Sequence, residues 1–451
     1  MSAFGPAAQP PSTPGHPAPP PYGTRQRWGQ RHRRRVLFPV LGLVGLAIPA
    51  LIVLGFLSTN IGDAAVLVGG MAAVLPVLPV VAAFLWVDRW EPEPSRLLLA
   101  AFLWGAGVSV LGAGIVNDTA SLIGEHALGK GHGDLVGAVI SAPIFEEGFK
   151  GAFLVGLLVW RRDEFDGVVD GIVYAGLVAA GFAFTENILY FGRAFASNGL
   201  VGQDGGVIAV FILRGLLSPF AHPLFTAMTG IAIGVAVRRR SRAALLVLPL
   251  IGYLAAVSLH ALWNASAGFG LLPVVYIVIM VPLFASLIGL VVWQRRREQR
   301  VVARQLPGFA SAGWIAPSEV PLLASLAGRK GWLSAVRDRA GPAAADAVRD
   351  YQNAVTELAF LRDRMQRGTV GPEAGQWHHE LLAEVMAARD RAVRAPQALD
   401  SAWRRPPPGW QPPPAVLPPS PAPTLPQPPG RPGRYVAPHP PPTPPAGPWH
   451  G

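Results

Sequence analysis

Long apolar runs dominate the chain from Val36 to Trp293 and constrain its fold more than any other feature. A helix needs about 20 apolar residues to cross the hydrocarbon core of a bilayer. Eight runs of this length predict membrane spans over 36–57, 64–87, 97–116, 135–160, 171–191, 207–237, 243–266 and 270–293. The sixth run is too long for one untilted span, and Pro219 and Pro223 are expected to kink or break it. The predicted fold class is therefore an all-α polytopic membrane protein with about eight transmembrane helices.

The charged residues support this class and predict the topology. Only 14% of the 451 residues are charged, against about 25% in an average soluble domain, which excludes a single soluble globule. The absence of cysteine excludes a disulfide scaffold. If the N-terminus is cytoplasmic, the inner segments hold 18 Lys and Arg residues and the outer loops hold two. Because cytoplasmic loops collect positive charge, we expect a plasma-membrane protein with both termini in the cytoplasm. The net charge of +11 then requires no nucleic-acid partner.

Composition divides the chain into four predicted regions. Residues 1–35, rich in Pro, Gly and Ala and ending in a basic run, are expected to form a disordered cytoplasmic arm. Residues 36–293 are the eight-helix membrane domain, and 294–400 have the composition of a small cytoplasmic helical region. The tail 401–451 contains 21 prolines and is expected to be disordered or extended, and available to a proline-binding module.

Two carboxylates and a lysine lie inside the fourth predicted span, where charge is costly. Glu146 and Lys150 are four residues apart and share a helix face, and Glu147 and Lys150 are three apart. Lys150 can neutralise one carboxylate, which leaves a second that is suited to act as a general base. A structural ion pair between helices is the alternative, but such a pair needs one Glu rather than two.

Other polar residues are concentrated in the next three predicted spans. They are Glu186 and Asn187 in span five, Arg214 and His222 in span six, and His260 and Asn264 in span seven. Arg214 is interpreted as a structural counter-ion, and Asn187 as a supporting amide. His260 and Asn264 are one turn apart, so an imidazole and an oxyanion-binding amide share a face. The set fits hydrolysis with carboxylate-activated water, a metal site with His and Glu ligands, or proton-coupled transport.

These residues fall into ordered motifs that resemble the PrsW family of intramembrane proteases. The motifs are Glu146-Glu147-x-x-Lys150, Phe182-x-x-x-Glu186-Asn187, His222-x-x-x-Thr226 and His260-x-x-Trp263-Asn264, preceded by Asp88-Arg-Trp-Glu-Pro-Glu-Pro94. The wider superfamily includes the CAAX prenyl endopeptidases, and Glu186 stands where those relatives have His. The resemblance covers about residues 80–270.

The resemblance implies hydrolysis of a peptide bond in or near the membrane, in single-pass membrane proteins such as anti-sigma factors. It makes Glu146 or Glu147 the water-activating base, with Glu186 as a third candidate carboxylate. His222 and His260 would assist the base or bind a metal, and Asn264 would stabilise the oxyanion. Both a glutamate mechanism and a zinc mechanism remain open, with Glu147, Glu186, His222 and His260 as candidate zinc ligands. A proton-coupled transporter and a non-catalytic scaffold presenting the Pro-rich tail are the two alternatives to a peptidase.

Overall fold

The computed structural model describes residues 25–394 apart from gaps at 90–92, 130–131, 162–164, 166, 203–204, 240, 369 and 371–373. Within this part of the chain the secondary structure is helical throughout, without a strand, as the sequence predicts. The helices up to Ser311 are α1 (Arg25–Ile61), α2 (Asp63–Val87), α3 (Ser95–Leu103), α4 (Val110–Leu128), α5 (Gly133–Leu135), α6 (Ala142–Trp160), α7 (Val168–Asn198), α8 (Gly206–Val210), α9 (Ala221–Arg239), α10 (Arg242–Gly268), α11 (Leu272–Val275) and α12 (Val281–Ser311). The predicted tail 401–451 and residues 1–24 of the predicted arm lie outside the described residues.

Seven helical stretches of the described chain are long and apolar enough to cross a membrane. They are Leu41–Ile61, Asp63–Val87, Ser95–Leu128, Val168–Asn198, Gly206–Arg239, Arg242–Gly268 and Leu272–Ser311. The predicted fourth span is also helical, as α5, a π-helical stretch and α6, but Glu146, Glu147 and Lys150 make it less apolar than the other seven.

Several helices extend beyond the predicted spans. The first helix begins at Arg25, inside the predicted arm, and the last span continues without a break to Ser311. The third span reaches Leu128 rather than residue 116. Polar residues stop an apolar run but not a helix, because Arg, Glu and Gln are good helix formers. Apolarity therefore locates a span and underestimates the length of its helix.

Among the described residues, four π-helical stretches interrupt the membrane helices, at Trp104–Ser109, Val136–Ser141, Phe211–Leu217 and Tyr276–Met280. The third ends at a non-helical segment over Ser218–Phe220, after which α9 begins at Ala221. The predicted break of the sixth span is thus confirmed at Pro219, while Pro223 lies in the first turn of α9, where its missing N–H costs little. The break brings α9 to the site with His222 in its first turn.

α7 is the central helix of the membrane part and packs against α2, α3 and α9. Nine tenths of its most apolar stretch is buried inside the protein. Gly171 on α7 and Gly230 on α9 allow these two helices to approach closely, because a Cβ on either would collide with the backbone of the other. Asp170, Thr185 and Asn187 of α7 are accordingly buried inside the protein.

The C-terminal helices form a second core. After α12, a 3-10 turn (Pro317–Glu319) leads to α13 (Val320–Leu323), α14 (Leu326–Gln366) and α15 (Ala374–Ala392). Trp332 and Tyr351 are fully buried at its centre. The buried carboxylate of Glu319 accepts hydrogen bonds from Arg389 and from the hydroxyl of Tyr351, which joins the 3-10 turn to α14 and α15. α14 bends at Gly341, which has φ of +83°.

Candidate active site

Lys150 lies at the centre of a buried polar cluster between α6, α7, α9 and α10. Its side chain is fully buried, and its Nζ donates to Glu147 Oε1 at 2.9 Å and to His222 Nδ1 at 3.3 Å. Glu146 Oε2 lies 3.5 Å from the same ammonium group, and the Phe182 ring centroid lies 3.8 Å from it. The structure thus brings span four into contact with spans five and six around one positive charge.

Glu147 is the more enclosed of the two adjacent carboxylates. It is fully buried and accepts hydrogen bonds from Lys150 and from the hydroxyl of Thr226, the latter at 2.8 Å. His260 Nδ1 lies 3.2 Å from its Oε1. Because a carboxylate only accepts, Nδ1 of His260 carries the proton. The Nε2 lone pair of His260 therefore faces Glu146, whose Oε2 is 3.8 Å away.

His222 is oriented in the same way by a different carboxylate. Its Nε2 lies 2.8 Å from Glu186 Oε2, and its Nδ1 faces the Lys150 ammonium group. Nε2 faces the Glu186 carboxylate, which accepts, and Nδ1 faces the Lys150 ammonium group, which donates. The proton of the His222 ring is therefore assigned to Nε2. The Nδ1 lone pair of His222 therefore faces the cluster, as does the Nε2 lone pair of His260.

Three electron-pair donors converge as a result. Ligand atoms of Glu146, His222 and His260 lie within 4.8 Å of one another, and all three residues are buried around the cluster. Two imidazoles and a carboxylate are an established catalytic zinc set, and ligating imidazoles usually donate their second N–H to a carboxylate. The donor types therefore match a zinc set, and a bound ion would take the place of the Lys150 N–H at Nδ1 of His222.

This set differs from the predicted metal ligands. Glu146 takes the place of the predicted Glu147 and Glu186, because those two carboxylates bond the outer nitrogens of His260 and His222. Spacing along a helix does not distinguish a ligand from the group that orients a ligand, since both lie on the same face.

Arg214 and Asn187 form the outer layer of the cluster. Arg214 donates from Nε to Asn187 Oδ1 at 2.8 Å and from Nη2 to Glu186 Oε2 at 2.5 Å. Its guanidinium group also stacks over Tyr190, at 3.9 Å from the ring centroid. Arg214 is therefore the counter-ion of Glu186, and the pair joins the π-helix to α7.

Asn264 does not contact the cluster. Its Nδ2 donates to the backbone carbonyl of Ala138 at 2.8 Å, which ties α10 to the π-helix before α6. The Ala142 N–H pairs with the Gly137 carbonyl in this π-helix, and Pro143 has no N–H, so the Ala138 carbonyl accepts from Asn264 instead.

Asn117, which the sequence reasoning missed, is the amide nearest to Glu146. Its Nδ2 donates to Glu146 Oε1 at 3.4 Å, and its Oδ1 accepts from Ser141 Oγ at 2.8 Å. Asn117 lies one residue beyond the predicted third span, whose helix continues to Leu128. Extending that span by one helical turn would have found it.

The Asp88 motif lies after α2, away from the cluster. Both Asp88 oxygens accept from the backbone N–H of Glu93, at 3.0 and 3.2 Å, and Glu93 accepts from the hydroxyl of Tyr174 at 2.7 Å. Burial raises the pKa of Asp88 to about 7, against a smaller lowering by the Glu93 N–H. The motif therefore fixes the entry to α3 against α7.

Comparison with known proteins identifies the family of the region that holds this cluster. The family model described as PrsW family intramembrane metalloprotease matches residues 93–287, which include the whole cluster. Protease PrsW of Bacillus subtilis is 30% identical over 168 residues, which are 37% of this chain and 67% of that protein. The chain belongs to the PrsW family. The apolar helices and the PrsW family together make it a multi-pass membrane protein.

Two further PrsW relatives show a similar likeness. Protease PrsW of Geobacillus kaustophilus is 33% identical over 165 residues, or 37% of this chain. Protease PrsW of Clostridioides difficile is 30% identical over 161 residues, or 35% of this chain. The chain spans 65% and 62% of the length of these two relatives. No solved structure matches the chain.

Proposed function

We propose that this protein is an intramembrane endopeptidase that hydrolyses a peptide bond of a membrane protein at the Glu146–His222–His260 cluster. The observation that carries the proposal is the convergence of one carboxylate and two imidazole lone pairs beside a buried ammonium group. Family membership favours a peptidase over the transporter and scaffold alternatives.

Glu146 is assigned the contact with the attacking water. Glu147 already accepts from Lys150, Thr226 and His260 Nδ1, so it orients these groups and has little capacity for a water. Glu146 has longer contacts, at 3.4 Å to Asn117 and 3.5 Å to Lys150, and its side chain keeps 10% exposure. It can therefore hold a water, accept its proton and pass that proton to the leaving amine.

In the zinc alternative, Glu146, His222 and His260 would hold the ion, and Glu146 would serve as a ligand rather than as the base. When bound, zinc polarises a scissile carbonyl and lowers the pKa of a water. Glu147 and Glu186 keep the two imidazole lone pairs directed inward, and the fully buried Thr226 hydroxyl fixes the position of Glu147. The Lys150 ammonium group and the Asn117 amide supply the positive charge and the N–H donor beside Glu146, where negative charge develops during attack on a carbonyl.

The substrate class and topology extend the proposal. A buried cluster within membrane helices favours a substrate bond that lies in or next to the bilayer, and the family resemblance favours single-pass proteins, anti-sigma factors among them. We place both termini, and the helical region 294–400, in the cytoplasm, because basic residues flank the spans on that side. Reporter fusions at Asp118 and after Arg394 test this topology, and a cytoplasmic signal at both sites would contradict it.

The deciding experiment compares membranes that contain wild type, Glu146→Gln or His260→Ala. Mass spectrometry of new N-termini in membrane proteins should find a product with wild type that both variants lack. His126→Ala is the matched control, since His126 is exposed at the end of α4. A product that persists in both variants would overturn the site, and no product in any membrane preparation would overturn the activity.

A further inference from the structure

Tyr190 carries an uncommitted hydroxyl group beside the cluster. The structure describes five tyrosines, and the hydroxyl groups of the other four each donate to an acceptor elsewhere in the protein. These four are Tyr174, Tyr253, Tyr276 and Tyr351, which donate to Glu93, the Ile144 carbonyl, the Leu217 carbonyl and Glu319. Within the part of the chain that the structure describes, the Tyr190 hydroxyl makes no hydrogen bond. Because tyrosine hydroxyls usually find a partner where the ring is packed, this one is available to a ligand or to water.

The ring of Tyr190 is held in place by the outer layer of the cluster. Tyr190 follows Glu186 by one helical turn, so both side chains lie on the same face of α7. The Arg214 guanidinium group, which donates to Glu186 and Asn187, lies 3.9 Å from the centroid of the Tyr190 ring. Tyr190 is nevertheless 41% exposed, whereas most of α7 is buried. The ring is therefore fixed while the space beside it stays open.

The phenol group of Tyr190 lies close to the candidate base. It is within range of the charge of Glu146 on α6, as well as the charges of Glu186 and Arg193 on α7. The Glu146 side chain keeps 10% exposure, so neither group is closed off from a ligand. Tyr190 lies about 33 Å along α7 from Val168, at about 1.5 Å per residue, which is close to the roughly 30 Å thickness of a hydrocarbon core. An open space at this depth gives both water and a peptide chain access to this side of the cluster.

Hydrolysis of a peptide bond requires a donor for the carbonyl oxygen, and the donors inside the cluster are already engaged. Attack by water places negative charge on that oxygen, and hydrogen bonds directed at it lower the barrier. The Asn117 amide already donates to Glu146. The Lys150 ammonium group already donates to Glu147 and His222. A tyrosine hydroxyl is a donor at neutral pH, because its ordinary pKa is about 10, and it is one of the groups that form oxyanion sites.

We propose that the Tyr190 hydroxyl donates a hydrogen bond to the carbonyl oxygen of the scissile peptide bond and stabilises the oxyanion. The proposal rests on the proposed function, with Glu146 as the base. Glu146 takes a proton from water as the water oxygen bonds to the carbonyl carbon, and the π electron pair of the carbonyl moves to the oxygen that Tyr190 contacts. When the C–N bond breaks, its electron pair goes to the nitrogen, which takes the proton from Glu146, and the oxyanion pair restores the carbonyl. Tyr190 keeps its own proton throughout.

Tyr190→Phe removes the hydroxyl and keeps the ring beside Arg214. With the substrate that mass spectrometry identifies, this variant should lower kcat about 100-fold, with KM and Tm close to those of wild type. Tyr276→Phe is the matched control, because it removes a hydroxyl that bonds the Leu217 carbonyl and should lower Tm without changing kcat. A wild-type kcat in Tyr190→Phe, or a loss of Tm that accounts for a lower kcat, would overturn the role of Tyr190 and leave the peptidase.

Fluorine NMR tests the contact without requiring cleavage. Protein labelled with 3-fluorotyrosine is placed in phosphatidylcholine nanodiscs, and the signal that is missing from Tyr190→Phe identifies Tyr190. The probe is an apolar peptide of about 20 residues with a phosphinate group in place of one peptide bond, which mimics the tetrahedral oxyanion. The control peptide has a reduced CH₂–NH link at the same place and so lacks the oxygen that Tyr190 would contact.

The phosphinate peptide should shift the Tyr190 signal and bind Tyr190→Phe about 10- to 100-fold more weakly than wild type, the value of a hydrogen bond to a charged group. The reduced peptide should do neither. Equal affinities, equal shifts with both peptides, no shift, or a signal that moves with the lipid headgroup alone, as expected of an interfacial tyrosine, would overturn the contact. Selective phosphinate binding with no cleavage product from wild type would leave the contact and remove the peptidase.

Discussion

The carboxylate of Glu186 on α7 lies 2.8 Å from Nε2 of His222 on α9, across the contact between these two helices. Glu147 holds the same relationship to Nδ1 of His260 on α10. Two carboxylate–histidine pairs therefore direct the Nε2 lone pair of His260 toward Glu146 and the Nδ1 lone pair of His222 toward Lys150. The candidate site depends on these pairs as much as on the residues that would touch a substrate.

Glu186 is predicted to act by orienting His222. Glu186→Ala should lower the cleavage rate about 10- to 100-fold, the usual cost of losing such a partner. Glu186→Gln should lose less, because its amide oxygen still accepts from His222 Nε2. Initial rates of purified protein in lipid vesicles would measure the effect. Equal rates for the Ala variant and wild type would rule this role out.

Glu147 is predicted to be essential for stability as well as activity. Glu147→Gln leaves the fully buried Lys150 ammonium group without its closest counter-ion, which should cost about 3 kcal/mol or more of unfolding free energy. Glu146→Gln should cost less, because Glu146 is farther from Lys150. Thermal unfolding in detergent, followed by tryptophan fluorescence, compares the two variants. A double variant Glu147→Gln/Lys150→Met should recover part of the loss, and its failure to do so would argue against the pairing.

Zinc is predicted to bind at Glu146, His222 and His260. Purified wild type should hold about one zinc ion per chain after dialysis, while His222→Ala and His260→Ala should hold much less by elemental analysis. A chelator should stop cleavage, and added zinc should restore it. His379→Ala, exposed on α15, is the control and should keep its metal. Retention of zinc by both cluster variants would refute this ligand set.

Asn117 is predicted to matter more for catalysis than Asn264. Asn117→Ala removes the N–H donor beside Glu146 and should lower kcat about 100-fold with little change in KM. Asn264→Ala removes a tie between α10 and the Ala138 carbonyl and should mainly lower Tm. Steady-state kinetics and thermal unfolding of both variants would separate the roles. A large loss of kcat in Asn264→Ala, with only a lower Tm in Asn117→Ala, would instead favour Asn264 as the oxyanion donor.

Asp88 is predicted to make stability depend on pH. Its folded pKa of about 7 exceeds the ordinary value of about 4, so the folded state binds this proton more tightly than the unfolded state. The free energy of unfolding should therefore fall as the pH rises from about 4 to about 7, and then level off. Asp88→Asn should flatten this part of the curve, whereas Asp350→Asn, an exposed change on α14, should not. An unchanged curve for the Asp88 variant would contradict the assignment.

Sequence patterns determined the helical class, the approximate position of each span and most residues of the cluster. Apolar runs report burial in lipid directly, because charge in a bilayer is costly whatever the fold. For the same reason, the few charged residues within the spans marked the site before any helix was placed. The break at Pro219 was predictable too, since proline removes a helical hydrogen bond in any context.

Only the tertiary structure decided what each member of that cluster does. Glu146 and Glu147 are adjacent in sequence, but one faces the donor set and the other accepts from three buried groups. Asn117 contacts Glu146, whereas Asn264 bonds the Ala138 carbonyl outside the cluster. Contacts between helices depend on helix rotation and crossing angle, which hydropathy does not record. The sequence thus determined which charged residues must be buried away from lipid, and helix packing decided which of them are in contact.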